Sequence, residues 1–121
     1  YDAGNLDCEW FELAKAQQDL GKMVTTTLNQ GHFPIILGGG QELAFGAYQG
    51  LANHLNPEQK IGVINFDTHF DIRDDQDGGS SGSQFYQIMK ILPSVTKIVL
   101  IFQMKKKLLK MLLSNSLTIE V

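Results

Sequence analysis

Ile61-Gly-Val-Ile-Asn-Phe-Asp67-Thr-His69-Phe-Asp71 is an apolar, strand-like run that leads straight into Asp-x-His-x-Asp. On an extended backbone alternate side chains point the same way, about 6.6 Å apart, so Asp67, His69 and Asp71 are expected to face one spot. Two carboxylates and an imidazole suit Mn²⁺, Fe²⁺, Co²⁺ or Zn²⁺. Bridging carboxylates would allow two ions about 3.5–4 Å apart, the arrangement that clamps a water for hydrolysis. A plainer account is that acidic residues follow a buried strand because the chain has reached water. Strict alternation of three ligand types after a wholly apolar strand favours the metal-hydrolase reading.

A second junction lies upstream, where Phe33-Pro-Ile-Ile-Leu runs into Gly38-Gly39-Gly40-Gln41-Glu42. The glycines suit a tight strand-to-helix turn, and neither a Gly-x-Gly-x-x-Gly spacing nor a Lys-Ser/Thr ending marks a phosphate cradle. Before it, Trp10, Leu13, Ala14, Leu20, Val24 and Leu28 predict a helix capped by Asn5 or Asp7 and stopped at Gly31. Strand 34–37 comes next. Leu43, Ala44, Ala47, Leu51, Ala52 and Leu55 then mark one face of a second helix that ends at Asn56-Pro57. With strand 61–66 this makes a β-α-β unit, hence a parallel pair, whose ligand site belongs at the carboxyl ends of the strands. Both junctions fall at those ends.

Together the junctions resemble the ureohydrolase family of arginase and agmatinase, in its formimidoylglutamase branch. That branch has a Gly-Gly-Gly-His-Glu motif and an Asp-Ala-His-Phe-Asp-Leu-Arg motif, against Gly38-Gly39-Gly40-Gln41-Glu42 and Asp67-Thr68-His69-Phe70-Asp71-Ile72-Arg73 here. Asp2-Ala3-Gly4-Asn5, Leu43 to Leu51 and Ser80 to Ile88 are also similar, so the match is clearest over 2–88. The resemblance implies a three-layer α/β/α fragment with a mostly parallel sheet, arginase-like, in which 1–121 is part of a larger domain. It further implies Mn²⁺ as cofactor, with Asp67 bridging two ions, His69 binding one and Asp71 the other. Arg73 would meet a substrate carboxylate, and Ser81 would line the pocket of a small amidine substrate. The reaction would be hydrolysis of N-formimidoyl-L-glutamate to glutamate and formamide, in histidine degradation.

The sequence departs from this pattern at the site itself. Gln41 stands where the family has a histidine ligand, and a glutamine carbonyl is a weaker donor than imidazole for these ions. After Asp77 the chain has no aspartate and its only acidic residue is Glu120, so the family's late Asp-x-Asp carboxylates are missing. The expectation is therefore a chain that is inactive by itself, a truncated or frame-shifted copy. The alternative is a non-enzymatic remnant or an interaction module using an exposed sheet edge. A partial parallel sheet also leaves open edges that favour a homo-oligomer.

The remaining features are quieter. Residues 73–83, rich in Asp, Gly and Ser, read as a mobile, solvated surface loop. An EF-hand register would put Arg73 at the first ligand and Gln84 at the twelfth, against calcium. Lys97 to Phe102 reads as another buried strand, Lys105 to Leu113 as a basic amphipathic helix with a solvated lysine face, and Leu117 to Ile119 as apolar. His32 and His54 fit helix-end or surface roles, and Trp10, Phe45 and Tyr48 fit packing. The 121 residues carry a net charge of −3, with 43% hydrophobic residues. This balance gives no electrostatic reason for nucleic acid. No apolar run of membrane-spanning length is visible, and a single Cys8 without an internal partner fits a reducing, cytoplasmic setting.

Overall fold

The computed structural model describes residues 1–9, 12–67, 69–76 and 78–91, and the backbone of 98–103. The order is α1 (Leu13–Asn29), α2 (Leu43–His54), β1 (Gly62–Asp67), α3 (Gln84–Lys90) and β2 (Ile98–Gln103). The readings for Trp10, Thr68, Asp77, the lysine-rich segment and the final apolar stretch lie outside the described residues.

Helix α1 stops where expected. Gly31 has φ 79°, its N–H donates to Leu28 O at 2.9 Å, and His32 N–H donates to Thr27 O at 3.1 Å. That pair of bonds is a Schellman ending, which needs a left-handed residue just past the helix and so favours glycine. The start differs from expectation: Glu12 occupies the cap without a side-chain cap bond, and neither Asn5 nor Asp7 serves. The buried face also differs. Ala16, Gln17, Leu20, Gly21 and Val24 are covered, while Ala14 is exposed. Gln17 belongs inside because its amide donates to Glu42 O at 2.9 Å, so a polar side chain satisfies a backbone carbonyl at the start of α2.

Helices α1 and α2 run parallel, since Gln17 meets Gly46, Gly21 meets Gly50 and Asn29 meets His54. Glycine sets the separation. A Cβ on Gly46 would fall 2.6 Å from Gln17 O, and one on Gly50 would fall 2.5 Å from Gly21 O. The seam is closed by polar groups as well: Thr25 Oγ1 lies 2.9 Å from both Gly21 O and Gly50 O, and His54 Nδ1 lies 2.7 Å from Asn29 Oδ1. On its other side α2 supplies Tyr48 to a core with Ile61, Phe85 and Ile88, flanked by Phe45, Leu51, Ala52, Leu55 and Val63. The expected single apolar face of α2 is thus two faces, one of them made of glycine.

β1 and β2 pair in parallel, with Gly62 opposite Ile98 and Asp67 opposite Gln103. The parallel sheet and the late strand match the sequence reading. Strand 34–37 does not form, and Phe33, Ile35 and Leu37 are 87%, 78% and 88% exposed. Alternating apolar residues make a strand only when a ladder partner supplies hydrogen bonds, and Pro34 contributes no donor. The observed crossover therefore runs from β1 through α3 to β2. Val63 lies against the core, whereas Ile64 and Phe66, on the other face of β1, are 60% and 73% exposed. A second helix layer is not among the described residues, nor is any helix long and apolar enough to cross a membrane.

The glycine seam makes a direct prediction. Alanine gains about 1 kcal/mol over glycine in a helix, but at Gly46 it must push against backbone, and such overpacking costs about 1–3 kcal/mol. Gly46→Ala and Gly50→Ala should each lower stability, while Gly21→Ala, whose Cβ would sit 3.3 Å from Gly46 O, should change it far less. Urea midpoints with unchanged m-values test this.

Candidate metal centre

The two junctions meet. Gly38 and Gly39, at φ 88° and 71°, turn the chain into α2 through a conformation that a side chain resists. That turn presents Gln41, whose side-chain amide donates to Asp67 Oδ2 at the carboxyl end of β1. Asp67 Oδ1 accepts the backbone N–H of His69 at 2.9 Å, and His69 Nδ1 lies 3.4 Å from the same oxygen. Asp67 is largely covered, with 12% of its side chain exposed, whereas His69 is 76% exposed.

The alternation expected of an extended chain ends at Asp67, the last residue of β1. Asp71 has φ 48°, the one non-glycine residue with positive φ among those described. That left-handed step turns its carboxylate to the start of α3, where Gln84 Nε2 donates to Asp71 Oδ2 at 2.9 Å and Phe85 N–H donates to Asp71 O at 3.2 Å. Among the described residues no three His, Cys, Asp or Glu side chains form a metal-holding group. An ion needs lone pairs aimed at a common point. Here three carboxylate oxygens are taken by N–H donors, two from glutamine side chains and one from the His69 backbone, and Gln41 turns its NH₂ group, not its carbonyl, toward Asp67. This donor set does not fit a pair of Mn²⁺ ions.

Beside these groups an open recess of about 240 Å³ is lined by Gly38, Gly40, Gln41, Leu43, Asn65 and Gln84, among others. Asn65 and Gln84 carry no signal that a sequence reading could use, because each is placed only by tertiary contacts. Arg73 and Ser81, the substrate-side candidates, are both exposed, and Arg73 is bonded to Gly82, the residue after Ser81. Arg73 N–H donates to Gly82 O at 2.9 Å, and its side chain lies over Gly82, where a Cβ would come within 3.2 Å of Arg73 Cδ.

The 73–83 segment is pinned at both ends. Lys90 bonds Asp75, a hydrogen bond that raises the lysine pKa, and Ser80 N–H donates to the buried Ser83 Oγ at 2.8 Å. Asp75 is thus not the solvated residue expected, and Asp74 is engaged by Gln76, through its N–H at 3.0 Å and its amide at 2.8 Å. His54 bridges the helix ends, while exposed His32 stacks on Tyr1 at 5.9 Å. Cys8 is exposed.

The arginase family model matches residues 1–104. The chain is 47% identical over 88 residues to a formimidoylglutamase of Aeromonas salmonicida (strain A449), covering 73% of this chain and 28% of that protein. It is 45% identical over 100 residues to one of Hahella chejuensis (strain KCTC 2396), covering 80% and 31%. An arginase superfamily protein from Trypanosoma cruzi shares the fold with a TM-score of 0.66 and 30% identity, over 80% of this chain and 33% of that one. The chain spans less than a third of the length of these curated relatives.

Asp71 separates backbone from side-chain effects. Asparagine tolerates the left-handed region and can still accept from Gln84, so Asp71→Asn should cost less than about 1 kcal/mol. Asp71→Val meets a backbone penalty of about 1–2 kcal/mol and loses a bond to a charged group worth about 1.5–3 kcal/mol. Chemical denaturation should show the valine variant as much the less stable.

Proposed function

Because the chain belongs to the arginase family, we propose that it carries part of a formimidoylglutamase-type hydrolase and does not perform the parent reaction alone. That reaction is hydrolysis of N-formimidoyl-L-glutamate to glutamate and formamide, a step of histidine breakdown. The observation that carries the reading is the meeting of Gln41 and Asp67 at the carboxyl end of β1, which joins the two motifs that resemble the family's. Asp67, His69, Asp71 and Gln41 stand at the metal positions of the parent site. Arg73 would take the glutamate carboxylate through its planar fork, and Ser81 would border it. An exposed Cys8 fits a reducing, cytoplasmic setting.

The amide-capped carboxylates support the inactive form of this reading. Without a close pair of Mn²⁺ ions, Asp67, His69 or Asp71 could at most act as a base toward free water, which contributes about 10²–10⁴-fold. Ordinary enzymes need far more. The chain with added Mn²⁺ should therefore release no formamide from N-formimidoyl-L-glutamate above background. Turnover faster than about 1 s⁻¹, abolished by Asp67→Ala, would sink the inactive reading.

Assembly belongs to the same proposal. The uncovered Ile64–Phe66 face and the second edge of β1, unpaired among the described residues, suit association of copies. Light scattering at micromolar concentration should give a dimer or larger, and Phe66→Lys should shift it toward monomer. A stable wild-type monomer would count against assembly and leave the catalytic expectation standing.

A further inference from the structure

The carboxylates of Asp67, at the end of β1, and of Asp71, four residues beyond it, each face a glutamine from another part of the chain. Gln41 lies 26 residues before Asp67, and Gln84 lies 13 residues after Asp71. An ionised carboxylate only accepts hydrogen bonds, so each amide must turn its NH₂ group toward it. At Gln84 this orientation has a visible cost. The residue is 1% exposed, and with Nε2 committed to Asp71 its Oε1 is left without a hydrogen-bond partner.

We propose that Gln41 and Gln84 form a metal-independent clasp that fastens the glycine turn and α3 to the end of β1 and closes Asp67 and Asp71 to divalent cations. At Asp67 both oxygens have donors, Oδ2 from Gln41 and Oδ1 from the His69 backbone N–H. A cation approaching Oδ2 meets polarised N–H hydrogens. To admit it, Gln41 must rotate its carbonyl inward and give up the charge-assisted bond. At Asp71 the amide donor is buried, and the left-handed backbone holds the carboxylate against it. The clasp thus joins three segments with hydrogen bonds, and it stands whatever substrate the chain's relatives act on.

The test uses the full chain and Mn²⁺ alone, whose unpaired electrons broaden the NMR signals of nearby nuclei. In the wild type, millimolar Mn²⁺ should not selectively broaden the backbone amides of residues 41, 67 and 69, and melting temperatures with Mn²⁺ and with chelator should agree within about 1 °C. Gln41→Glu replaces the donors with a second carboxylate. It should melt about 5 °C lower in chelator, recover most of that with Mn²⁺, and show selective broadening at 67 and 69. Gln41→Met removes the amide at similar size and should also become Mn²⁺-sensitive at Asp67. Selective broadening of residues 67 and 69 in the wild type would overturn the clasp, as would variants that respond to Mn²⁺ no more than the wild type does. The wild-type titration decides the question even if a variant fails to fold.

Discussion

Backbone contact between α1 and α2 is the constraint on which the described structure depends. Gly46 and Gly50 let two parallel helices approach until carbonyl oxygens of α1 fill the space where side chains would stand. Parallel neighbours cannot be joined by a tight turn, so residues 30–42 must run back along the pair before α2 begins. That return path delivers the glycine turn to the end of β1. It also fixes which side of α2 faces inward: with one side taken up by the glycine seam, Tyr48 and its neighbours are left for Ile61, Phe85 and Ile88.

Ion pairs have little part in holding the two helices together. The Glu12–Lys15 and Asp19–Lys22 pairs are exposed, i to i+3 contacts on the outer surface of α1. They lower the Asp19 pKa and raise that of Lys15 through their hydrogen bonds, yet water and salt screen such pairs until their contribution is small. The polar contacts that shape the fold are neutral donors set against backbone or carboxylate: Gln17 on Glu42 O, Thr25 on Gly50 O, Gln41 on Asp67 and Gln84 on Asp71. Glutamine recurs because its amide reaches far and carries no charge to desolvate.

How far the sequence could be read depended on whether local residues or distant partners decided each feature. Gly31 stops α1 by its own backbone freedom, and the apolar run ending at Asp67 makes a strand, so both were legible. The two junctions do meet, but not through the β-α-β pairing of 34–37 with 61–66 from which that was expected, since the parallel partner of β1 is β2. Strand 34–37 was not decidable locally, because a strand exists by virtue of its neighbour. The alternation of Asp67, His69 and Asp71 assumed an extended backbone, and Asp71 broke it with a left-handed turn held by Gln84 and Phe85. Gln17 inside α1 was hidden for a similar reason, since a polar residue on a buried face is explained only by the carbonyl it meets.

The register of β1 with β2 carries a kinetic consequence. Gly62 pairs with Ile98, 36 residues later, and Gln17 meets Gly46, 29 residues later. Neither contact rewards the chain until a long loop has closed, and such non-local topologies fold slowly. On a ribosome the two helices and β1 are complete well before the residues that pair with β1 have been made. During that interval β1, whose Ile64 and Phe66 are exposed, has not yet met β2, the state in which a nascent chain is most exposed to chaperones and to its own neighbours on the same message.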